Sequence, residues 1–418
     1  MKLYFKYGSS TRTLAVPDQY KVKVIEPIVI KTETITANKI KEAIQNPLKT
    51  THLSAHKSVK SVAIAINDKT RPVRYDILLP PLLECLHKEL KPGFQVTFYI
   101  SSGTHTPMSI KECAAIIPKD IYEKYPILVH DCDDVENQLF LGTTSRGTPV
   151  FINTQFYQSD LKIVVGNIEP HHFMGFSGGV KTAAIGLVSR KTINHNHQML
   201  LTEKDTVIGQ YEQNPMRMDV EEIGEMVGVD YALNAIQSPE KTLIDVYFGY
   251  PKDVMLAAID VVRTNCQVAV REQFDLTIAS AGGYPKDINL YQAQKAITNA
   301  AKFTKDGGNL ILFAECSEGI GNSRLVAFMR GITSTDGVRE KLRNEGFQVG
   351  PHKAFLIARD IDHINIHLIS GMDAELVRLL FLNPVTQEPE AFIETLLNNL
   401  SYSAKIGFIP NAVITIPV

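Results

Sequence analysis

The feature that most constrains this chain is a series of short runs, nearly continuous in β-branched and apolar residues, separated by longer stretches of helical character. SVAIAI at 61–66, FQVTFYI at 94–100, LKIVV at 161–165, DLTIAS at 275–280 and NLILF at 309–313 show little alternation of polar with apolar residues. A strand that is apolar at almost every position is buried on both faces, which is the habit of parallel sheets covered by crossover helices. Between the runs the pattern predicts helices over 77–90, with prolines fixing its start, over 116–125 and over 290–304. Strand alternating with helix predicts an α/β fold of doubly wound, Rossmann-like type.

At roughly 150 residues per domain, 418 residues make two or three domains. The segment 251–272 reads as a helix and a short strand, after which a new strand–loop–helix series opens at Phe274. The division therefore falls near residue 270, giving an N-terminal α/β domain over 1–270 and a C-terminal α/β domain over 271–418. The last stretch, 406–418, is strand-like and compatible with either domain.

Lys and Arg number 43 against 45 Asp and Glu, a formal charge of −2, and no long run of one sign occurs. This balance argues against a nucleic-acid binder or a polybasic membrane protein. The first residues, MKLYFKYGSSTRT, lack the parts of a secretory signal, and no apolar window approaches the roughly eighteen residues that a bilayer requires. Cys85, Cys113, Cys132, Cys266 and Cys316 are far apart and form no CxxC pair, which disfavours disulfides and a thiolate metal cage. The expectation is a reduced, cytoplasmic protein acting on a small molecule.

Four unusual loops follow directly on predicted strands: NDKTRP at 67–72, SSGTHTP at 101–107, GNIEPHH at 166–172 and AGGYP at 281–285. Ligands of open α/β sheets bind beyond the carboxyl ends of the strands, so these loops are expected to line one crevice between the domains. Five of twelve histidines (His105, His171, His172, His195, His197) lie in or near these loops, and histidine both titrates near neutrality and ligates metals. His195 and His197 are two apart and point in different directions, so one ligand at most is expected from the pair, and His171 and His172 diverge likewise. GFSGGVKT at 175–182 nearly matches a phosphate-binding P-loop, but Val180 stands where glycine must precede the lysine. Such a turn entering a helix can still hold a phosphate or carboxylate on its free N–H groups. Downstream, Asp287 is expected to cap a helix beginning near Ile288. Gln292, Lys295 and Asn299 form one polar stripe opposite Leu290, Ala293 and Ile297, either solvated or binding a substrate carboxylate.

Taken together, DKTR at 68–71, SGTHTP at 102–107, PHHFMGFSGGVK at 170–181, INHNH at 193–197 and GGYPKDINLYQAQKA at 282–296 resemble the nickel-pincer-nucleotide-dependent lactate racemases and their 2-hydroxyacid racemase and epimerase relatives. The motifs occur in family order and span nearly the whole chain. The resemblance implies that His105 and His171 are the two acid/base groups on opposite sides of the substrate, with His172 adjacent as the alternative to His171. It implies that Lys181 bonds covalently to the nickel-pincer nucleotide and that His197 completes the square-planar nickel. Asp68, Lys69, Thr70 and Arg71 would hold the nucleotide part, and Gln292 and Lys295 the substrate. The implied reaction is stereoisomer interconversion by hydride transfer through a bound 2-keto acid, which avoids a carbanion beside a carboxylate. One protein ligand then suffices for nickel, since the cofactor supplies carbon and sulfur donors.

Lactate, malate, an aromatic hydroxyacid and a sugar acid are all compatible with this set, and Arg71 or Arg74 is a candidate for a second carboxylate. Two other readings use the same fold: a nicotinamide-dependent 2-hydroxyacid dehydrogenase, which requires a GxGxxG turn that the chain lacks, and a non-catalytic carboxylate- or nucleotide-binding protein.

Overall fold

A computed structural model describes residues 1–27, 35–238, 241–401 and 403–418. The chain forms two compact units: a large unit, Ile30–Arg263, and a split unit made of Met1–Val29 and Thr264–Val418. Both are mixed α/β structures built on a six-stranded sheet that is parallel throughout or nearly so.

In the large unit the strand order is Leu243–Gly249, Tyr231–Gln237, Leu161–Asn167, Ser61–Asn67, Gln95–Ser101 and Ile127–Val129. Every neighbouring pair is parallel except the first, an antiparallel edge pairing. The central Ser61–Asn67 strand has buried side chains at every position from Val62 to Ile66, as its unbroken apolar run requires. Helix Tyr75–Glu89 covers it with Tyr75, Leu78, Leu79, Leu82 and Leu86, and all five join Ile64, Ile66, Phe98 and Ile163 in one core. Pro80 and Pro81 lie inside this helix and do not mark its start. The ladder bonds they forgo are offset by that apolar face. The helix expected over 116–125 is two short ones, Ile110–Ile116 and Lys119–Lys124, separated at Pro118. The first opens on a reciprocal cap between Ser109 and Glu112.

The split unit orders its strands Asn383–Pro384, Asn365–Ile369, Thr304–Phe313, Phe274–Ser280, Ile406–Ile409 and Val22–Val24, all parallel. Its edge strand comes from the start of the chain, which corrects the assignment of residues 1–29 to the first domain. The cause is hydrophobic. The hairpin of Lys2–Tyr7 and Ser10–Ala15 buries Leu3, Phe5 and Leu14 against Leu276, Ile278, Ile311 and Phe313, with the Phe5 and Phe313 rings 4.5 Å apart. Among the described residues no helix is long and apolar enough to cross a membrane.

Candidate active site

Three of the unusual loops leave the carboxyl ends of three adjacent parallel strands of the large unit, Leu161–Asn167, Ser61–Asn67 and Gln95–Ser101. That adjacency brings Asp68 to His105. The Asp68 carboxylate is 4% exposed and accepts from the Thr70 amide at 3.0 Å and the Thr70 hydroxyl at 2.6 Å. Its other oxygen lies 2.7 Å from His105 Nδ1. Burial raises the Asp68 pKa, but the hydrogen bonds from His105 and Thr70 outweigh it, so the carboxyl sits below its ordinary range and is ionised. With Nδ1 held, His105 presents Nε2 as its working nitrogen, on a side chain that stays half exposed. Lys69 turns away to an ion pair with Glu112, and Arg71 pairs with Glu169 at 3.2 Å. Arg74 is engaged with Asp76. Within the DKTR loop, then, Asp68 and Thr70 have their side chains committed to orienting His105.

The third loop runs through a two-residue ladder, Pro170–His171 against Gly175–Phe176. Gly175 has φ +71°, and a Cβ there would come within 1.8 Å of the Gln210 carbonyl oxygen, so no other residue fits. The turn buries His171, whose Nδ1 accepts from the Met174 amide at 3.3 Å; in the neutral ring the proton therefore rests on Nε2. Phe173 stands edge-on to both His171, at 4.7 Å, and His197, at 5.2 Å, and so spaces the two imidazoles. His172 is less buried than His171.

Lys181 begins a single helical turn, Lys181–Ala184, after which helix Arg190–Thr202 carries His197. Burial, and next the Lys181 ammonium, hold the His197 pKa down at about 3, so its imidazole is neutral at physiological pH. Burial, and next the Arg71 and Arg217 guanidinium groups, push Lys181 well below the ordinary lysine range. The structure thus brings Lys181 and His197 into one low-dielectric neighbourhood, where burial disfavours the charged form of each. In the Gly178–Gly179 turn before Lys181 one of the N–H groups a phosphate would use is already taken. The Gly179 N–H already donates to Asn234 Oδ1 at 2.6 Å, and the helix it leads into is one turn long. His195 is placed apart from its neighbour, with Nδ1 3.0 Å from Thr148 Oγ1.

Sequence reasoning missed the residues that fix this arrangement. Arg217, 1% exposed, pairs with Glu221 and donates to the Phe176 and Gly178 carbonyls at 3.2 Å each, clamping the turn before Lys181. Asp219, fully buried, accepts from Thr144, Thr148 and Asn196 at 2.6, 2.8 and 2.8 Å, and so holds the helix that bears His197. Both lie on the Pro215–Val227 helix, where only the buried polar positions inside an amphipathic pattern could have drawn notice.

In the split unit the Leu290–Ala301 helix carries Gln292 and Lys295, both partly buried. Its cap is Asn289, whose side chain accepts from the Gln292 amide at 3.0 Å. The expected cap, Asp287, is fully buried and accepts from the backbone of Gly8 at 2.7 Å and Glu315 at 3.3 Å, stitching the N-terminal hairpin to the sheet. Asn299 belongs to no solvated or substrate-facing stripe, because its amide donates to the Ala412 carbonyl at 2.8 Å.

Two family models match the chain: the lactate racemase N-terminal domain over residues 7–209 and the lactate racemase C-terminal domain over residues 269–416. The chain belongs to the lactate racemase family. It is 29% identical over 427 residues to the lactate racemase of Thermoanaerobacterium thermosaccharolyticum and 26% identical over 416 residues to that of Lactiplantibacillus plantarum, covering 97% of this chain and of each relative. The lactate racemase apoprotein structure from Thermoanaerobacterium thermosaccharolyticum superposes with a TM-score of 0.92 at 27% identity over 100% of both chains. A Thermotoga maritima protein shares the fold, with a TM-score of 0.67 at 16% identity over 93% of this chain and 99% of its own.

Family motifs and structure meet on the same segments. The 68–71 loop follows strand Ser61–Asn67, His105 follows Gln95–Ser101 and His171 follows Leu161–Asn167, while Lys181 and His197 lie on the two helices that come next in the chain. Among the described residues, Asp131, Cys132 and Asp133 bring three potential metal-ligand atoms within 4.8 Å of one another. Asp133 is held by Arg190 at 2.6 Å, and burial pushes the Cys132 thiol up to about 11, so it offers no thiolate at neutral pH.

Proposed function

We propose that this member of the lactate racemase family interconverts the stereoisomers of a 2-hydroxyacid, lactate being the acid for which its relatives are named. The observation that carries the reading is the pairing of Lys181 and His197 in one buried neighbourhood, where burial disfavours the charged form of each, within a unit that also holds His105 and His171 in loops after its strands. Neither a dehydrogenase nor a simple binding protein needs a fully buried lysine beside a buried neutral histidine.

The donor set fits a nickel-pincer nucleotide. A neutral imidazole is a ligand for nickel, and the Lys181 Nζ, with no hydrogen bond or ion pair among the described residues, is a competent nucleophile for covalent attachment. Asn167 Oδ1, buried in the adjoining loop without a hydrogen-bond partner, is a further polar atom awaiting a donor. When bound, such a group supplies a reversible hydride acceptor. Lys181 would hold it covalently, His197 would ligate its metal, and Arg71 is a candidate for its phosphate.

The protein's own steps are proton transfers. His105, oriented through Nδ1 by ionised Asp68, takes the hydroxyl proton of one stereoisomer at Nε2, and the adjacent carboxylate stabilises the imidazolium so formed. His171 is the candidate group for the other stereoisomer: with Nδ1 accepting from the Met174 amide, its neutral ring carries the proton on Nε2 and would give it up there as an acid. Gln292 and Lys295 bind the substrate carboxylate through an amide and an ammonium.

Intact-protein mass spectrometry on chain produced with the cofactor pathway tests this directly. The wild type is expected to carry a covalent increment and stoichiometric nickel and to racemise a 2-hydroxyacid, whereas Lys181→Ala loses the increment while remaining folded. An unmodified, nickel-free wild type that turns over no 2-hydroxyacid would sink the reading.

A further inference from the structure

One buried cation in the split unit is left short of partners. Lys353 sits in the first turn of helix His352–Ile361 and is 3% exposed. Its Nζ donates to Gln294 Oε1 at 2.8 Å and lies 5.4 Å from the centre of the Tyr291 ring. An ammonium has three donors, and among the described residues no carboxylate pairs with this one. A lone buried ammonium is strongly unfavourable unless an anion meets it.

The surroundings are built. The Gln294 amide is oriented from behind, because its Nε2 donates to Thr298 Oγ1 at 2.8 Å and Thr298 donates to Asp360 at 2.7 Å, which turns the Gln294 oxygen toward Lys353. Tyr291, Gln294, Lys295 and Thr298 lie on neighbouring turns of one helix, and that helix packs against the one bearing Lys353. Burial, and next the Lys295 ammonium, push Lys353 well below the ordinary lysine range, and a bound anion would reverse that push. Two neighbouring lysine amines, one of them buried with no carboxylate paired to it among the described residues, make a place that negative charge would complete.

We propose that Lys353 is the recognition residue for a second carboxylate, so that the substrate is a short 2-hydroxydicarboxylate, one carboxylate held by Lys295 and Gln292 and the other by Lys353. This rests on the racemase reading above and adds to it the class of acid. A phosphate fits less well. The first-turn N–H groups of His352, Lys353 and Ala354 already bond to the Gln348, Gly350 and Pro351 carbonyls, so no backbone donors remain for a third and fourth oxygen. The neighbouring His352 adds no charge of its own toward the site, since its Nδ1 accepts from the Gly350 amide at 3.2 Å and its ring stacks on Phe347.

The test compares malate and lactate as probes on the cofactor-loaded enzyme, wild type against Lys353→Met and Lys353→Gln, with malate binding followed by calorimetry. The wild type is expected to prefer malate, and either variant to lower the malate-to-lactate ratio of kcat/KM by at least about 30-fold, the scale of a lost enclosed ion pair. Wild-type preference for lactate, or variants in which malate and lactate fall in equal proportion, overturns the proposal. Should the wild type convert neither acid, the racemase reading fails. Malate binding that disappears in both variants then still supports the subsite, and binding that ignores Lys353 removes it.

Discussion

The large unit and the split unit each enclose a cation on a helix, and they treat it in opposite ways. Arg217 of the large unit has a carboxylate, two carbonyl oxygens and the face of Tyr211, 5.1 Å away. Lys353 of the split unit has one amide oxygen and one ring. Lys181 sides with Lys353, and Asp219, with three donors on its carboxylate, sides with Arg217. The difference teaches a distinction of role. A buried charge whose hydrogen bonds are complete is part of the scaffold, and its partners describe what it fixes. One left incomplete has capacity for something that binds.

This contrast is open to breakage at three points. The largest effect is expected at Arg217→Met, which strands Glu221 and releases the Phe176 and Gly178 carbonyls; unfolding in urea should show a loss of about 3–5 kcal/mol, the scale for breaking a buried pair on one side. By the same logic Lys353→Met should be neutral or stabilising in that assay, and equal losses at the two positions would abolish the distinction. Asp68 is the intermediate case, a buried carboxylate half committed to its own loop and half to an acid/base candidate. Asp68→Asn should keep the fold and lower kcat by about 10²-fold, within the range for a perturbed general acid/base group, and an unchanged kcat would return Asp68 to a purely structural role.

The smallest effect concerns protons. His197 titrates near 3 when folded and near 6.5 in an unfolded chain, so between those values the unfolded state binds more protons and stability falls as pH falls. At pH 5, wild-type unfolding should take up about one more proton than that of His197→Phe. The dependence of the urea midpoint on pH measures this, and parallel pH profiles for the two proteins would show that His197 is not held neutral.

Much of this was legible in residue order. The 61–66 and 161–165 runs lie within strands buried on both faces because continuous apolar sequence leaves no side to face water. The motif loops follow those strands as expected. Ser109 and Glu112 offered a capping-box signal that helix periodicity alone had passed over, and Pro118 marked the break between two helices. Less legible were contacts closed over long separations. Asp287 meets Gly8 across 279 positions, and the N-terminal hairpin joins the far sheet through Leu3, Phe5 and Leu14. Local pattern carries no register between such segments.

By itself the sequence determined that the chain builds parallel α/β sheets and that His105, His171 and the glycine-rich turn lie in loops after strands, because these follow from periodicities of two and 3.6 residues and from backbone sterics. Only the tertiary structure decided which polar groups are charged. Whether His197 and Lys181 are neutral, Asp68 ionised or Lys353 short of partners depends on burial and on partners brought from distant positions, and the energy of a charge is set by the dielectric and donors around it.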